Sequence, residues 1–253
     1  MKKRNTQERR NAIAEQLVAS GKVSASELAG QYGVSMETVR KDMIWLEKNG
    51  LARKGYGGAV AATAITERTF LEKSICYKHE KARIATKAME LVQDGDVVLL
   101  DSGSTVLCVA KQLVLKQDIT VFTNSLRAAQ HLIDYGIKVY VLGGEVRNTS
   151  NALTGGWALR ALGEIKADIA ILGTSGIKGR GGPCVESLEE SEIKRAMMKA
   201  AHKTAVIADA SKGDCDALIQ FASWEDVDFF ITEETMDENT LKGVEGKTTV
   251  LFC

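Results

Sequence analysis

Between Gln7 and Ala19 apolar residues recur at helical spacing, Ile13 with Leu17 and Ala14 with Val18, which predicts a helix that Gly21 can end. Ser24 or Ser26 can cap a second helix, with Glu27 in its first turn and Leu28, Ala29 and Tyr32 on its inner side. Gly33 permits a left-handed turn, Val34 plugs the angle, and Ser35 caps a third helix. That helix carries Val39, Met43 and Leu46 inward and shows Met36, Glu37, Arg40 and Lys41 outward, and Asn49-Gly50 ends it. A small residue where two helices touch, glycine in the turn and apolar residues on the shared side predict a helix-turn-helix, whose second helix fits a DNA major groove. Leu51 to Ala59, rich in glycine and carrying Arg53 and Lys54, reads as a short basic hairpin, or wing, able to lie on the phosphate backbone.

Residues 61–78 are weakly patterned and read as a linker between an N-terminal domain over 5–60 and a larger one over 79–253. A helix is expected from His79 to about Val92, and then the texture changes. Short apolar runs alternate with helical patterns: Val97–Leu100, Ile119–Phe122, Val139–Leu142, Ala167–Leu172, Thr204–Ala208, Val227–Thr232 and Lys247–Phe252. Such alternation predicts a doubly wound α/β domain, a parallel sheet with helices on both faces.

Five of these strands end in small, hydroxylated or glycine residues, and ligands of open parallel sheets sit beyond the carboxyl ends of the strands. The sharpest is Asp101-Ser102-Gly103-Ser104-Thr105, a strand feeding a tight turn that opens a helix and so offers backbone N–H groups to an anion. Thr123-Asn124-Ser125, Gly143-Gly144, and Gly173 with Thr174-Ser175-Gly176 close three more strands, and Asp209-Ala210-Ser211-Lys212 another. Lys212 follows a strand end directly. Lys194 lies on a helix beginning near Leu188, where it can meet an anion or simply pair with Glu190 one turn away. Neither the phosphate loop of NTPases nor the dinucleotide fingerprint is present, so a small phosphorylated molecule fits better than ATP or NAD.

Composition changes this picture in one respect. Lys plus Arg and Asp plus Glu both number 33, yet residues 1–60 contain 11 basic and 6 acidic side chains while the remainder contain 22 and 27. A basic head on an acidic body suits a module that meets a polyanion joined to one that does not. No run of about 18 apolar residues exists, and the basic N-terminus leads into no apolar stretch, so neither membrane span nor secretory signal is expected and the expected compartment is the cytoplasm. Five cysteines without metal-type spacing read as free thiols, and His79, His131 and His202 stand apart, each in an expected helix, so no metal site, catalytic residue or cofactor is assigned.

With both halves in view the chain resembles the DeoR family of transcriptional regulators. The residues that carry the likeness are Gly33-Val34-Ser35-Met36-Glu37-Thr38-Val39-Arg40-Lys41-Asp42, Gly57-Gly58-Ala59, Lys194-Arg195-Ala196-Met197 and the strand-end motifs above. The resemblance implies a winged helix-turn-helix followed by a domain similar to ribose-5-phosphate isomerase. It implies a repressor of a carbohydrate operon, held on double-stranded operator DNA as a dimer or tetramer and controlled by a phosphorylated sugar. Ser35, Met36, Glu37, Thr38, Arg40, Lys41, Arg53 and Lys54 would then meet DNA. Asp101 to Thr105, Thr123, Asn124, Ser125, Gly143, Gly144, Gly173, Lys194 and Lys212 would line the effector pocket. The sequence departs from the family at Tyr56, where a basic residue is usual, and over Gly179–Val185, which holds the only proline and is expected to set effector choice. Two other readings remain: a sugar-phosphate isomerase or deaminase using Asp101, Glu186 or Asp209 as base, and a sensor of an unphosphorylated ligand.

Overall fold

The computed structural model describes residues 5–20, 22–48, 51–55, 57–61, 67 and 69–253, with backbone only for 18–20, 54, 60 and 61. The expected helix end at Asn49-Gly50, the Tyr56 position and most of 62–68 lie outside the described residues. The chain divides into two compact units, Met1–Cys76 and Tyr77–Cys253.

In the first unit α1 (Thr6–Ser20), α2 (Ala25–Tyr32) and α3 (Met36–Lys48) are joined by an antiparallel sheet of β1 (Lys22–Ser24), β2 (Ala52–Gly55) and β3 (Gly58–Ala61), ordered β1-β3-β2. Gly33, in the left-handed conformation, ends α2, and its N–H donates to the Ala29 carbonyl. Ile13, Leu17, Leu28, Val39, Leu46 and Leu51 are wholly or almost wholly buried in one core, each contributing about 1.5–3 kcal/mol of transfer free energy. Gly58 is where β3 passes β1, and a β-carbon there would fall 2.0 Å from the Val23 carbonyl oxygen. Two elements were not expected. Strand β1 is too short for any periodicity, and α4 (Phe70–Ile75) arises within the stretch read as a linker. A reciprocal cap starts α4: Thr69 Oγ1 accepts from the Glu72 N–H at 3.3 Å while Glu72 accepts from the Thr69 N–H. Ile75 and Leu71 pack into the same core as α1.

The second unit holds a seven-stranded parallel sheet of β4 (Val97–Leu100), β5 (Thr120–Thr123), β6 (Lys138–Val141), β9 (Ala167–Gly173), β11 (Ala201–Ile207), β13 (Phe229–Thr232) and β14 (Thr249–Phe252). Each matches an expected strand to within a few residues. The order is β14-β13-β11-β9-β4-β5-β6, so the chain runs outward from β4 in one direction and then, from β9, in the other. Side chains alternate between two cores. Val98, Leu100, Val121, Ile171 and Ile207 pack under α5 (Lys78–Ala88), α6 (Ser104–Leu113) and α7 (Leu126–Asp134). Leu99, Leu172, Val206 and Phe230 pack under α8 (Gly156–Leu162) and α9 (Leu188–Ala200). Besides three short 3-10 helices (Met89–Leu91, Ala210–Gly213 and Trp224–Asp226), the remaining elements are α10 (Glu238–Val244), the hairpin of β7 (Glu145–Arg147) with β8 (Ala152–Thr154), and the pair β10 (Cys184–Val185) with β12 (Ile219–Gln220). His202 lies in β11 rather than in a helix, because the sheet continues past the apolar run to Ala201.

Candidate functional site

In the first unit Ser35 caps α3, its Oγ accepting from the Thr38 N–H at 3.2 Å and lying 3.0 Å from Thr38 Oγ1. Thr38 is thereby half-buried and engaged in the helix start. Met36, Glu37, Arg40 and Lys41 are exposed, with Lys41 Nζ 3.5 Å from Glu37 Oε1. Arg53 is exposed on β2, and a groove of about 500 Å³ between α3 and the β2–β3 hairpin is lined by Met36, Arg40, Ile44 and Arg53 among others. The Lys54 side chain lies outside the described residues. The back of α3 is tied to α1 by Asp42, only 1% exposed, which accepts from Arg9 Nε at 2.6 Å and Arg10 Nε at 2.9 Å. Sequence reading missed this clamp, because nothing in the spacing of Arg9 and Arg10 announces a partner 33 residues away.

In the second unit the strand order turns between β4 and β9, which is where open sheets hold ligands. Asp101 ends β4 and is buried. Its Oδ2 accepts from the Gly173 N–H at 3.0 Å, at the end of β9, and pairs with Lys194 Nζ from α9. Lys194 is 3% exposed, also donates to the Gly173 carbonyl at 2.9 Å, and stands 5.3 Å from the Phe221 ring centre. Glu190 is turned instead to Arg147, at 3.4 Å. Asp101, Gly173 and Lys194 therefore form one knot, in which the carboxylate charge is matched before any ligand arrives.

Ser102 and Gly103 are half-buried and lead into α6, whose first helical bond runs from the Leu107 N–H to the Gly103 carbonyl. The amide hydrogens of Ser104, Thr105 and Val106 precede that bond and face the start of the helix, whose first turn carries no acidic side chain. The neighbouring loop is more structural. Thr123 Oγ1 donates to the Leu100 carbonyl at 2.7 Å and accepts from the Ser125 N–H, and Ser125 caps α7 through the Ala128 N–H. Asn124 is buried, with Nδ2 3.4 Å from the Leu153 carbonyl. Gly143 and Gly144 let the chain leave β6 beside β8: a β-carbon on Gly144 would fall 2.2 Å from the Thr154 oxygen. Lys212 sits half-buried in the turn after β11, its N–H bound to the Asp209 carbonyl at 3.0 Å.

Among the described residues, buried Asn124 Oδ1, Asp209 Oδ2 and Thr232 Oγ1 have no protein hydrogen-bond partner. All three lie at carboxyl ends of strands, and buried polar atoms normally have a partner. Arg83 reaches Glu233 at 3.0 Å on the same rim, and Glu233 in turn accepts from the Ala210 N–H. Asp209 was read in the sequence as part of a strand-end motif and as a possible general base, not as a pocket acceptor. Thr232 was read only as the end of its apolar run, and Glu233 just after it was not singled out. Over 179–185, Arg180 reaches the Ala217 carbonyl at 3.2 Å and Cys184 pairs in β10 with Gln220. No group of three or more His, Cys, Asp or Glu that could hold a metal ion occurs among the described residues, nor does any helix there long and apolar enough to cross a membrane.

These features define a two-part regulator, a winged helix-turn-helix and a separate α/β unit with a polar rim. Residues 9–64 match the DeoR-like helix-turn-helix domain and residues 77–234 the DeoR C terminal sensor domain. The chain is 33% identical to the HTH-type transcriptional regulator GlpR of Haloferax volcanii, over 94% of each protein. It is 31% identical to the HTH-type transcriptional repressor GlcR of Bacillus subtilis, covering 90% of this chain and 88% of that one. It is 28% identical to the glycerol-3-phosphate regulon repressor of Escherichia coli, covering 89% and 90%. Among solved structures it is similar to ribose 5-phosphate isomerase A of Methanocaldococcus jannaschii, with 20% identity, 53% and 54% coverage and a TM-score of 0.40. The chain belongs to the DeoR family: it is a DNA-binding transcriptional regulator with a C-terminal sensor domain.

Proposed function

We propose that this regulator is a repressor of a carbohydrate operon, released from its operator when a phosphorylated sugar or polyol enters the rim of the sensor domain. The observation that carries the reading is the start of α6. Its free amide hydrogens lie at the carboxyl end of β4, at the turning point of the strand order, and the one adjacent carboxylate, Asp101, is already neutralised by Lys194. A phosphate at Ser102 to Thr105 would meet positive partial charge, beside an Asp101 carboxylate already paired with Lys194. Lys212 would add a point charge. The orphan acceptors of Asn124 and Asp209 would take hydroxyl hydrogens of the sugar. The naming of a relative as a glycerol-3-phosphate regulon repressor supports a small phosphorylated effector.

On the DNA side, Arg40 is assigned to a guanine and Lys41, Arg53 and Lys54 to phosphates. Two copies would set their α3 helices in successive major grooves, roughly 34–36 Å apart. An oligomer is supported by β6, an unpaired edge of the sheet whose Tyr140 and Val141 are exposed, and by exposed Ile133 of the contacting helix α7 with Tyr135 just after it. Effector control then amounts to different affinities for two states of that oligomer, and the coupling is no larger than the difference.

The test is a thermal-shift and DNA-release screen of the full chain with pentose, hexose and glycerol phosphates, each beside its unphosphorylated parent and assayed for turnover. Stabilisation and release by a phosphate ester alone support the reading. Equal effects of the parent sugar would move it to an unphosphorylated ligand, and catalytic turnover would make the domain an isomerase or deaminase.

A further inference from the structure

The outward face of α3 is not uniformly polar. Met36, Arg40 and Ile44 follow one another at four-residue intervals and so share a side of the helix, with Met36 40% and Ile44 51% exposed. All three line the groove beside the β2–β3 hairpin, together with Arg53 and Glu47. Ile44 stands almost opposite the buried line of Val39, Asp42 and Leu46, near the middle of the presented surface and one turn beyond Arg40. Two large apolar side chains flanking an arginine on a basic unit's most prominent helix call for a partner that is anionic overall and apolar locally.

Duplex DNA offers that combination in one place. In the major groove each base pair shows hydrogen-bonding groups, and thymine alone adds an apolar one, its C5-methyl. We propose that Ile44, with Met36, reads thymine methyl groups on either side of the base pair held by Arg40, making these residues determinants of operator sequence rather than of general DNA affinity. The proposal rests on α3 being the DNA-contacting helix. A protein partner on this surface is disfavoured by the charge: Arg40, Lys41, Lys48 and Arg53 are all exposed around it, and residues 1–60 carry five more basic than acidic side chains. Phosphates satisfy these cations at the rim while the methyl groups meet the apolar centre.

The experiment uses the full chain and a duplex selected by it from a random pool. Each thymidine is replaced singly by deoxyuridine, which removes the methyl and leaves every hydrogen-bonding group in place. Burying one methyl is worth about a fourfold change in affinity, so one or two positions per half-site should weaken by about that factor. In Ile44→Ala the same replacements should cost nothing further, while Ile44→Val should retain part of the effect and Leu115→Ala, exposed in the other unit, all of it. A scan flat at every thymidine would overturn the proposal and leave the DNA-binding reading intact. So would an undiminished methyl effect in Ile44→Ala. Failure to enrich any duplex would overturn both. Because Ile44 is half exposed and alanine favours helix, loss of folding is not expected, and the deoxyuridine scan on the unmutated chain stands independently.

Discussion

Lys194 and Asp101 meet inside the sensor domain, joining α9 to the end of β4, with both side chains almost fully removed from solvent. A buried pair of this kind is costly to break from one side, because the remaining charge keeps its desolvation penalty without its partner. Lys194→Met should therefore destabilise the domain by about 3–5 kcal/mol, whereas Lys194→Met with Asp101→Asn should recover most of the loss. Hydrogen exchange localised to β4, β9 and α9 is the measurement, since the chain has two units and one global transition would mix them. Equal protection in the single and double variants would show that removing the unpaired carboxylate relieves nothing, against this account.

Asp42 plays the corresponding part in the DNA-binding unit. It is buried against two guanidinium groups, and Arg10 additionally lies 5.0 Å over the Trp45 ring. The clamp fixes α3 against α1, so the angle at which Arg40 and Ile44 are presented depends on it. Asp42→Ala leaves Arg9 and Arg10 unpaired and should cost about 3 kcal/mol of local stability, with operator affinity falling alongside. Exchange rates of amides in α1 and α3, measured in the full chain, should rise while those of the sensor sheet stay fixed.

The division between what could be read from the sequence and what could not follows the range of the interactions. The turn at Gly33, the cap at Ser35 and the seven sheet strands rest on local signals, namely a left-handed residue, a hydroxyl three residues before an N–H, and apolar runs of four to six. All of these are found. Helix α4 was also legible, since Thr69 and Glu72 stand at capping-box spacing, but the mixed composition around them hid it. The Asp101–Lys194 and Asp42–Arg9 pairs span 93 and 33 residues, and no periodicity records such distances. Helical spacing alone pointed Lys194 at Glu190. Burial reversed that choice, because a lysine inside the sheet–helix interface needs a buried carboxylate, and Asp101 is within reach. The loop at Thr123 to Ser125 was read for its hydroxyls, which the structure spends largely on capping and on the neighbouring strand.

The thiols give the chain an alkaline limit. Burial pushes the Cys108 thiol above its ordinary range, only partly opposed by Lys111 and Lys81, and burial also raises Cys184 and Cys253. A group whose folded pKa is raised binds its proton more tightly in the folded state. Its stabilising effect is therefore complete below the unfolded thiol pKa, about 8.5, and is lost as pH climbs through the higher folded value. Urea midpoints should thus fall as pH rises above about 8.5, and Cys108→Ala should flatten part of that slope. Alkylation of Cys108 at pH 8 should be slower than that of a free cysteine, because little thiolate is present. A rate equal to the free thiol would contradict the shift.

Arg40 and Arg53 are both exposed cations on the DNA-binding unit, yet they are expected to fail differently when removed. Arg40 is exposed on the outward face of α3 and is assigned above to a guanine, where a bidentate contact would be worth about 1–3 kcal/mol of discrimination. Arg40→Ala should relax base preference at one position of each half-site and change the salt dependence little. Arg53 lies on the hairpin strand β2, at the far side of the groove, the position assigned above to phosphates. Arg53→Ala should weaken all duplexes alike and reduce the slope of log affinity against log salt by about one per binding unit. Titrating both variants against a selected and a scrambled duplex across a salt series separates the two roles. If Arg40→Ala lowered both affinities equally and reduced the slope while Arg53→Ala altered preference, the assignments would have to be exchanged, and α3 would be lying along the backbone rather than in the groove.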